Sequence, residues 1–261
     1  MIRTNLHTHT RRCKHADGTA ADYARCAVEA GLKRLAFTEH CPFPGDVFKF
    51  HARPAYAEFP DYVAEVEAVR RDFPELKVLC GIECEYFPAF GHAYFQEMKE
   101  KHHLDLLIGS LHYLSVDGGW AHPDTPMTSA QLRWLADALA EIARAGIYTF
   151  MAHPDMMLLY TPWSSDTAAF ARDVLSVLKE TDLPAEINAY GLRKKPMTEA
   201  DGTCRPQYPR REFWDLAAEY GIRVVVNSDA HRPEDVYGNL DEAAEFARSR
   251  GLRIVNEELL P

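Results

Sequence analysis

The stretch Arg223–His231 reads RVVVNSDAH: three consecutive valines run straight into Asn-Ser-Asp-Ala-His. A short, near-continuous apolar run just after Gly221 has the form of a strand covered on both faces, and such strands belong to parallel sheets. Its polar tail falls at the C-terminal end. The same form recurs along the chain in RTNLH (3–7), KRLAFTEH (33–40), KVLCGIE (77–83), DLLIGSLH (105–112), YTFMAH (148–153) and PAEINA (184–189), with a possible last run at LRIVN (252–256). Helical patterns lie between these runs, at about 20–30, 57–72, 91–102, 129–145, 166–181, 210–220 and 240–250. Thr128-Ser129-Ala130-Gln131 has the form of a capping box, and Gly31, Gly146, Gly221 and Gly251 follow their helices as stop signals. Seven or eight βα units predict an α/β barrel, one domain spanning 1–261, with a doubly wound open sheet as the alternative.

Composition narrows the partners. The 261 residues are 47% hydrophobic and 26% charged, and no apolar run approaches the roughly 18 residues that cross a bilayer. The first residues, MIRTNLHTH, lack a secretory h-region, and six irregularly spaced cysteines contain no CxxC pair, so a reduced, cytoplasmic setting is expected. A formal net charge of -10 argues against a nucleic-acid backbone as partner but leaves room for a small anion held through bound cations.

The histidines follow the strands. His7 and His9 end the first run, His40 the second, Glu83 the third, His112 the fourth, His153 the fifth, and Asp229 with His231 the seventh; His15 lies in the first loop. Catalytic groups of a βα barrel gather at these C-terminal ends. Both His7-x-His9 and Asp229-x-His231 place two side chains on one side of an extended strand, whose side-chain period is two. Seven imidazoles and two carboxylates are too many for one tetrahedral ion and suit two or three divalent ions sharing a bridging carboxylate. So many imidazoles facing one centre without metal would be costly to bury. His51, His102 and His103 have the context of surface residues, while His92 and His122 sit in loops near the catalytic end.

LHTHT, His15, TEH (38–40), GIE (81–83), GSLH (109–112), AHPD (152–155) and NSDAH (227–231) resemble, in order, the motifs of the PHP (polymerase and histidinol phosphatase) metallohydrolases. The resemblance implies a distorted (βα)7 TIM-like barrel and three divalent ions, Zn, Fe or Mn. It places one ion among His7, His9, Glu83 and Asp229, a second among Glu83, His112 and His153, and a third among His15, His40 and His231. Within that family, EINAYGLRKKP and GIECEYFPAF resemble the histidinol-phosphate phosphatases. That implies hydrolysis of a small phosphorylated metabolite, L-histidinol phosphate, by a metal-bridging hydroxide, with inorganic phosphate as product and no nucleic acid or membrane as partner. Asp229 or His153 would orient the nucleophile or handle its proton, and Arg193 would grip the phosphate. A phosphatase acting on phosphotyrosine or another small metabolite is the alternative. Amide hydrolysis on a related barrel fits less well, because Glu83 follows the third strand and the late motif is Asp-x-His.

Two departures bear on the substrate. AHPDMMLLY is apolar at 156–159, where such enzymes often carry basic residues, and PMTEADGTCRPQYP lengthens the link after GLRKK. Arg11, Arg12 and Lys14 are therefore the expected second grip on the anion, with Lys194, Lys195 and Arg205 as further candidates.

Overall fold

The computed structural model describes residues 2–47, 52–116, 119–199 and 201–260; His51 lies outside them. The elements run β1 (Thr4–Asn5), α1 (Ala20–Glu29), β2 (Arg34–His40), α2 (Phe59–Asp72), β3 (Lys77–Glu85), α3 (Gly91–His102) and β4 (Leu106–Ser110). There follow β5 (Leu114–Val116), β6 (Gly119–Ala121), α4 (Ser129–Arg144), β7 (Phe150–Met151), α5 (Ser165–Thr181) and β8 (Ala185–Asn188). The chain ends with α6 (Tyr190–Arg193), β9 (Met197–Thr198), β10 (Cys204–Arg205), α7 (Arg211–Tyr220), β11 (Arg223–Asn227), α8 (Leu240–Arg248) and β12 (Arg253–Ile254).

Eight strands form one parallel sheet in the order β1-β2-β3-β4-β7-β8-β11-β12, so the barrel expectation holds and the possible last strand is real, pairing Arg223 with Arg253. Leu6, Ala36, Leu79, Ile108, Phe150 and Val225, drawn from six strand regions, pack together with Val255 as a closed apolar plug inside the curl. A larger core lies between the strands and the surrounding helices. The distortion sits at the seam where the β1 region meets β11 and β12. There, among the described residues, the main chain pairs at a single Thr8–Ala230 bridge. Side-chain amides complete the join: Asn227 Oδ1 accepts from Leu6 N, and Asn256 Nδ2 donates to Thr4 O and Val226 O.

The helix ends follow the sequence signals. Thr128 accepts from Gln131 N in a reciprocal capping box, and Gly221, at φ 70°, takes the left-handed position that ends α7. Periodicity did not reveal the antiparallel hairpins β5–β6 and β9–β10, whose two- and three-residue strands carry no repeat to detect. Among the described residues no helix is long and apolar enough to cross a membrane.

Candidate metal centre

Directly above the apolar plug the interior turns ionisable. On three strands the change keeps the same parity: Ala36 leads to His40, Leu79 to Glu83 and Glu85, and Val225 to Asp229 and His231. On the first and fifth strands it needs a break. Leu6 and His7 are adjacent yet both face inward just after β1 ends, and His153 follows Ala152 with φ 29°. Asp229 likewise holds φ 48°, a conformation rare outside glycine.

His7, His9, Glu83 and Asp229 converge. His7 Nε2 lies 3.2 Å from His9 Nε2, 3.5 Å from Glu83 Oε2 and 3.6 Å from Asp229 Oδ1. His9 Nε2 lies 3.4 Å from Glu83 Oε2 and 3.2 Å from Asp229 Oδ1. A tetrahedral ion with bonds of about 2.05 Å spaces its ligands by about 3.3 Å, so these five distances outline its edges. Glu83 Oε2 and Asp229 Oδ1 are buried without hydrogen-bond partners, as oxygens facing a cation would be. The other oxygen, Glu83 Oε1, faces His153 Nε2 at 3.0 Å and His112 Nε2 at 3.4 Å, so one carboxylate joins two groups of ligands. His15 Nε2 and His231 Nε2 meet at 2.9 Å, and the His40 ring stacks on His9 at 4.4 Å while its Nδ1 lies 2.8 Å from Glu83 Oε2.

All nine expected positions thus lie in one cluster. The donor set of imidazoles and carboxylates matches what divalent transition ions take, and the spacing fits them.

The field is uneven across the cluster. Burial opposes charge on His7 and His9, but Glu186, Asp229 and Glu83 around His7 raise it well above the ordinary value, and the neighbouring carboxylates of Asp229, Glu39 and Glu83 raise His9 to about 9. Burial and the neighbouring His9 push His231 down to about 3, and burial also lowers His15 and His40. Burial alone would raise Glu83 and Asp229, but the surrounding imidazoles hold both well below the carboxylate range. Both carboxylates are therefore ionised.

Three carboxylates that sequence reading passed over stand behind the ligands: Glu186 beside His7, Glu85 beside His112 and Glu39 beside His9. The signal was present. Glu39 is the middle residue of Thr-Glu-His, Glu85 lies two residues beyond the Glu83 of Gly-Ile-Glu, and Glu186 lies on β8, one of two strands of the parallel sheet that supplied no expected ligand.

A cavity of about 310 Å³ opens over the cluster. Its cationic lining comes from Arg53 and Lys194, and its apolar lining includes Met156 and Leu159. Lys194 is among the sequence candidates, whereas Arg53, Tyr113, Gln207 and Tyr208 were missed and His122 reaches the cavity from its loop. Arg53 is 2% exposed, donates from Nη1 to Cys41 O at 2.7 Å and lies 3.9 Å from Glu85 Oε2.

Four expected anion partners are corrected. Arg193 donates to Ser228 O, at 2.5 Å, and to Gly238 O, at 2.8 Å, and does not line the cavity; the carbonyls of the Asp229 loop have captured it. Arg12 pairs with Glu65 at 2.6 Å, Lys14 pairs with Glu58 at 2.7 Å, and Arg11 is exposed; none of the three lines the cavity. Among the further candidates, Arg205 is drawn to Glu199 and to Leu159 O, and Lys195 is exposed. His92, expected in a loop, lies in the first turn of α3 and bonds Tyr148 OH away from the cluster.

A family model described as the PHP domain matches residues 5–190. The chain belongs to the PHP domain family. The PHP match stops short of Asp229 and His231, so the segment after β11 completes the cluster from outside the matched span. A relative from Deinococcus radiodurans, named a probable histidinol-phosphatase, is 33% identical over 95% of this chain and 94% of its own. A histidinol-phosphatase from Bacillus subtilis is 24% identical over 90% and 96%. A solved histidinol phosphate phosphatase from Lactococcus lactis, complexed with Zn, L-histidinol and phosphate, shares this PHP fold with a TM-score of 0.72. It does so at 16% identity, over 97% of this chain and 95% of its own.

Proposed function

We propose that this chain is a metal-dependent phosphomonoester hydrolase that converts L-histidinol phosphate and water to L-histidinol and inorganic phosphate, with the whole of 1–261 acting as one catalytic domain. The observation that carries the reading is the set of five 3.2–3.6 Å separations among His7, His9, Glu83 and Asp229, whose two inward oxygens are buried and face imidazole nitrogens. The names of the Deinococcus and Bacillus relatives, together with the ligands of the Lactococcus structure, support the substrate and support zinc among Zn, Fe and Mn. Three ions would be held: by His7, His9, Glu83 and Asp229; by Glu83, His112 and His153; and by His15, His40 and His231. Bound there, divalent ions supply Lewis acidity toward a phosphoryl oxygen and a nucleophile at neutral pH. A cytoplasmic setting fits the six unpaired cysteines.

The chain's own residues do the rest. Glu83 and Asp229 remain ionised, and Asp229 is aimed by Asn188 Nδ2, which donates to its Oδ2 at 3.0 Å. Arg53 and Lys194 bring positive charge to the cavity and orient the phosphate. Lys194 is steadied by its Nζ resting 3.8 Å above the Tyr190 ring, which stacks on His231. Met156 and Leu159 give the organic part of the substrate an apolar wall. The cavity is at the small end for ligand sites, which favours a small metabolite over a phosphotyrosine within a polypeptide.

The test is one preparation, analysed for metal and assayed on a panel of phosphomonoesters that includes histidinol phosphate and a phosphotyrosine peptide. The expected result is a kcat/KM on histidinol phosphate far above every other member. A flat profile would remove the substrate assignment, and full activity without metal would remove the chemistry.

A further inference from the structure

The imidazoles of the cluster differ in what holds the nitrogen turned away from its centre. His7 Nδ1 lies 2.9 Å from Glu186 Oε1, His112 Nδ1 lies 2.7 Å from Glu85 Oε2, and His9 Nδ1 faces Glu39 Oε2 at 3.7 Å. These carboxylates are buried and themselves anchored. Glu39 Oε1 accepts from Thr10 N, Glu85 Oε1 from His112 N, and Glu186 from Asn227 Nδ2, Asn188 Nδ2 and His153 N. A carboxylate behind a ligating imidazole fixes its tautomer and raises its basicity.

His15 and His231 are held differently. Their Nδ1 atoms meet the main-chain carbonyls of Cys13, at 3.0 Å, and of Asp229, at 3.1 Å, with Asp229 Oδ1 at 3.6 Å from the latter nitrogen. His15 is exposed, and His15, His40 and His231 all line the open cavity; of the inner groups His112 and Asp229 reach its floor, whereas His7, His9, Glu83 and His153 lie beneath it. His40 turns its Nδ1 to Glu83 Oε2, so it is shared with the inner group. The outer position is therefore the one with no carboxylate of its own, with main-chain carbonyls behind two of its three imidazoles and with every one of its residues on the cavity wall.

Resting on the metal cluster of the proposed function, we propose that the ions load in a fixed order. The two positions that share Glu83 hold a permanent inner pair, and the position bounded by His15, His40 and His231 exchanges its ion through the cavity.

The test is dialysis of the holoenzyme against graded chelator, with the metal-to-protein ratio read by atomic emission. The expected curve falls from three ions to a plateau at two before falling further. His15→Ala is expected to start on that plateau with its two ions as resistant as those of the wild type. Glu186→Gln is expected to release inner ions at about 10–100-fold weaker chelation. Glu85→Gln supplies the same comparison behind His112 should Glu186→Gln not fold, and thermal melts in excess metal establish which variants are folded. Loss of all three ions in one step, or three ions retained by folded His15→Ala, would overturn the order. A folded protein that takes up no ion at all would overturn the proposed function itself.

Discussion

The barrel interior has two layers built on the same strands, and they obey different rules. In the lower layer Leu6, Ala36, Leu79, Ile108, Phe150 and Val225 fill space, and what matters there is volume. A few residues further along, His7, His40, Glu83, His153 and Asp229 occupy equally buried positions where each atom's identity matters. The lower layer follows strand alternation throughout, while the upper layer breaks it at His7 and takes left-handed backbone at His153 and Asp229. A fold can therefore tolerate strain at its functional rim because the plug beneath supplies the packing.

The comparison breaks most severely at Glu83, whose two oxygens serve both inner ligand groups. Glu83→Gln is expected to cost about 10³-fold or more in kcat/KM, at or beyond the cost of one lost stabilising donor, with inner ions lost as well. Turnover assays paired with metal analysis check this. The lower layer should show the opposite profile. Phe150→Ala is expected to destabilise by about 3–5 kcal/mol, with KM per folded molecule unchanged, as read from urea unfolding and steady-state kinetics. A large change in KM would mean that the layers are not separable.

On the cavity wall, Arg53→Ala and Lys194→Ala are each expected to raise KM by about 10–100-fold, the range for a charge-assisted hydrogen bond. Arg11→Ala should leave kinetics unchanged, and equal effects at Arg11 and Arg53 would remove the correction made above.

The smallest expected effect concerns Asp155, just beyond His153. Burial lifts its carboxyl to about 6, although Arg210 N and Trp214 Nε1 donate to it. A folded pKa above the unfolded one means that the native state binds the proton more tightly, so stability falls as pH rises from about 4 to about 6 and levels off above that. Metal-free Asp155→Asn should lose less stability than the wild type as pH rises from about 4 to about 6, measured as the shift in urea midpoint.

Much of this was legible in the one-dimensional pattern. Apolar runs capped by ligand-type residues specify buried parallel strands and say which end carries chemistry, because burial and side-chain period are local properties. The nine expected ligand positions, read as a resemblance to the PHP metallohydrolases, all fall in the cluster. The basic residues misled for a physical reason. A long flexible cation near a site in sequence goes to whatever oxygens lie within reach, and only the folded chain shows that Arg193 finds the carbonyls of Ser228 and Gly238, Arg12 finds Glu65 and Lys14 finds Glu58. Arg53, far from any ligand motif, reaches the cavity because the chain after β2 folds back over Phe43 and Cys41. The sequence by itself determined the strands, their polarity and the ligand-bearing ends. Only the tertiary structure decided which carboxylates back which imidazoles and which cations face the substrate, since those choices depend on distances between segments that local patterning does not encode.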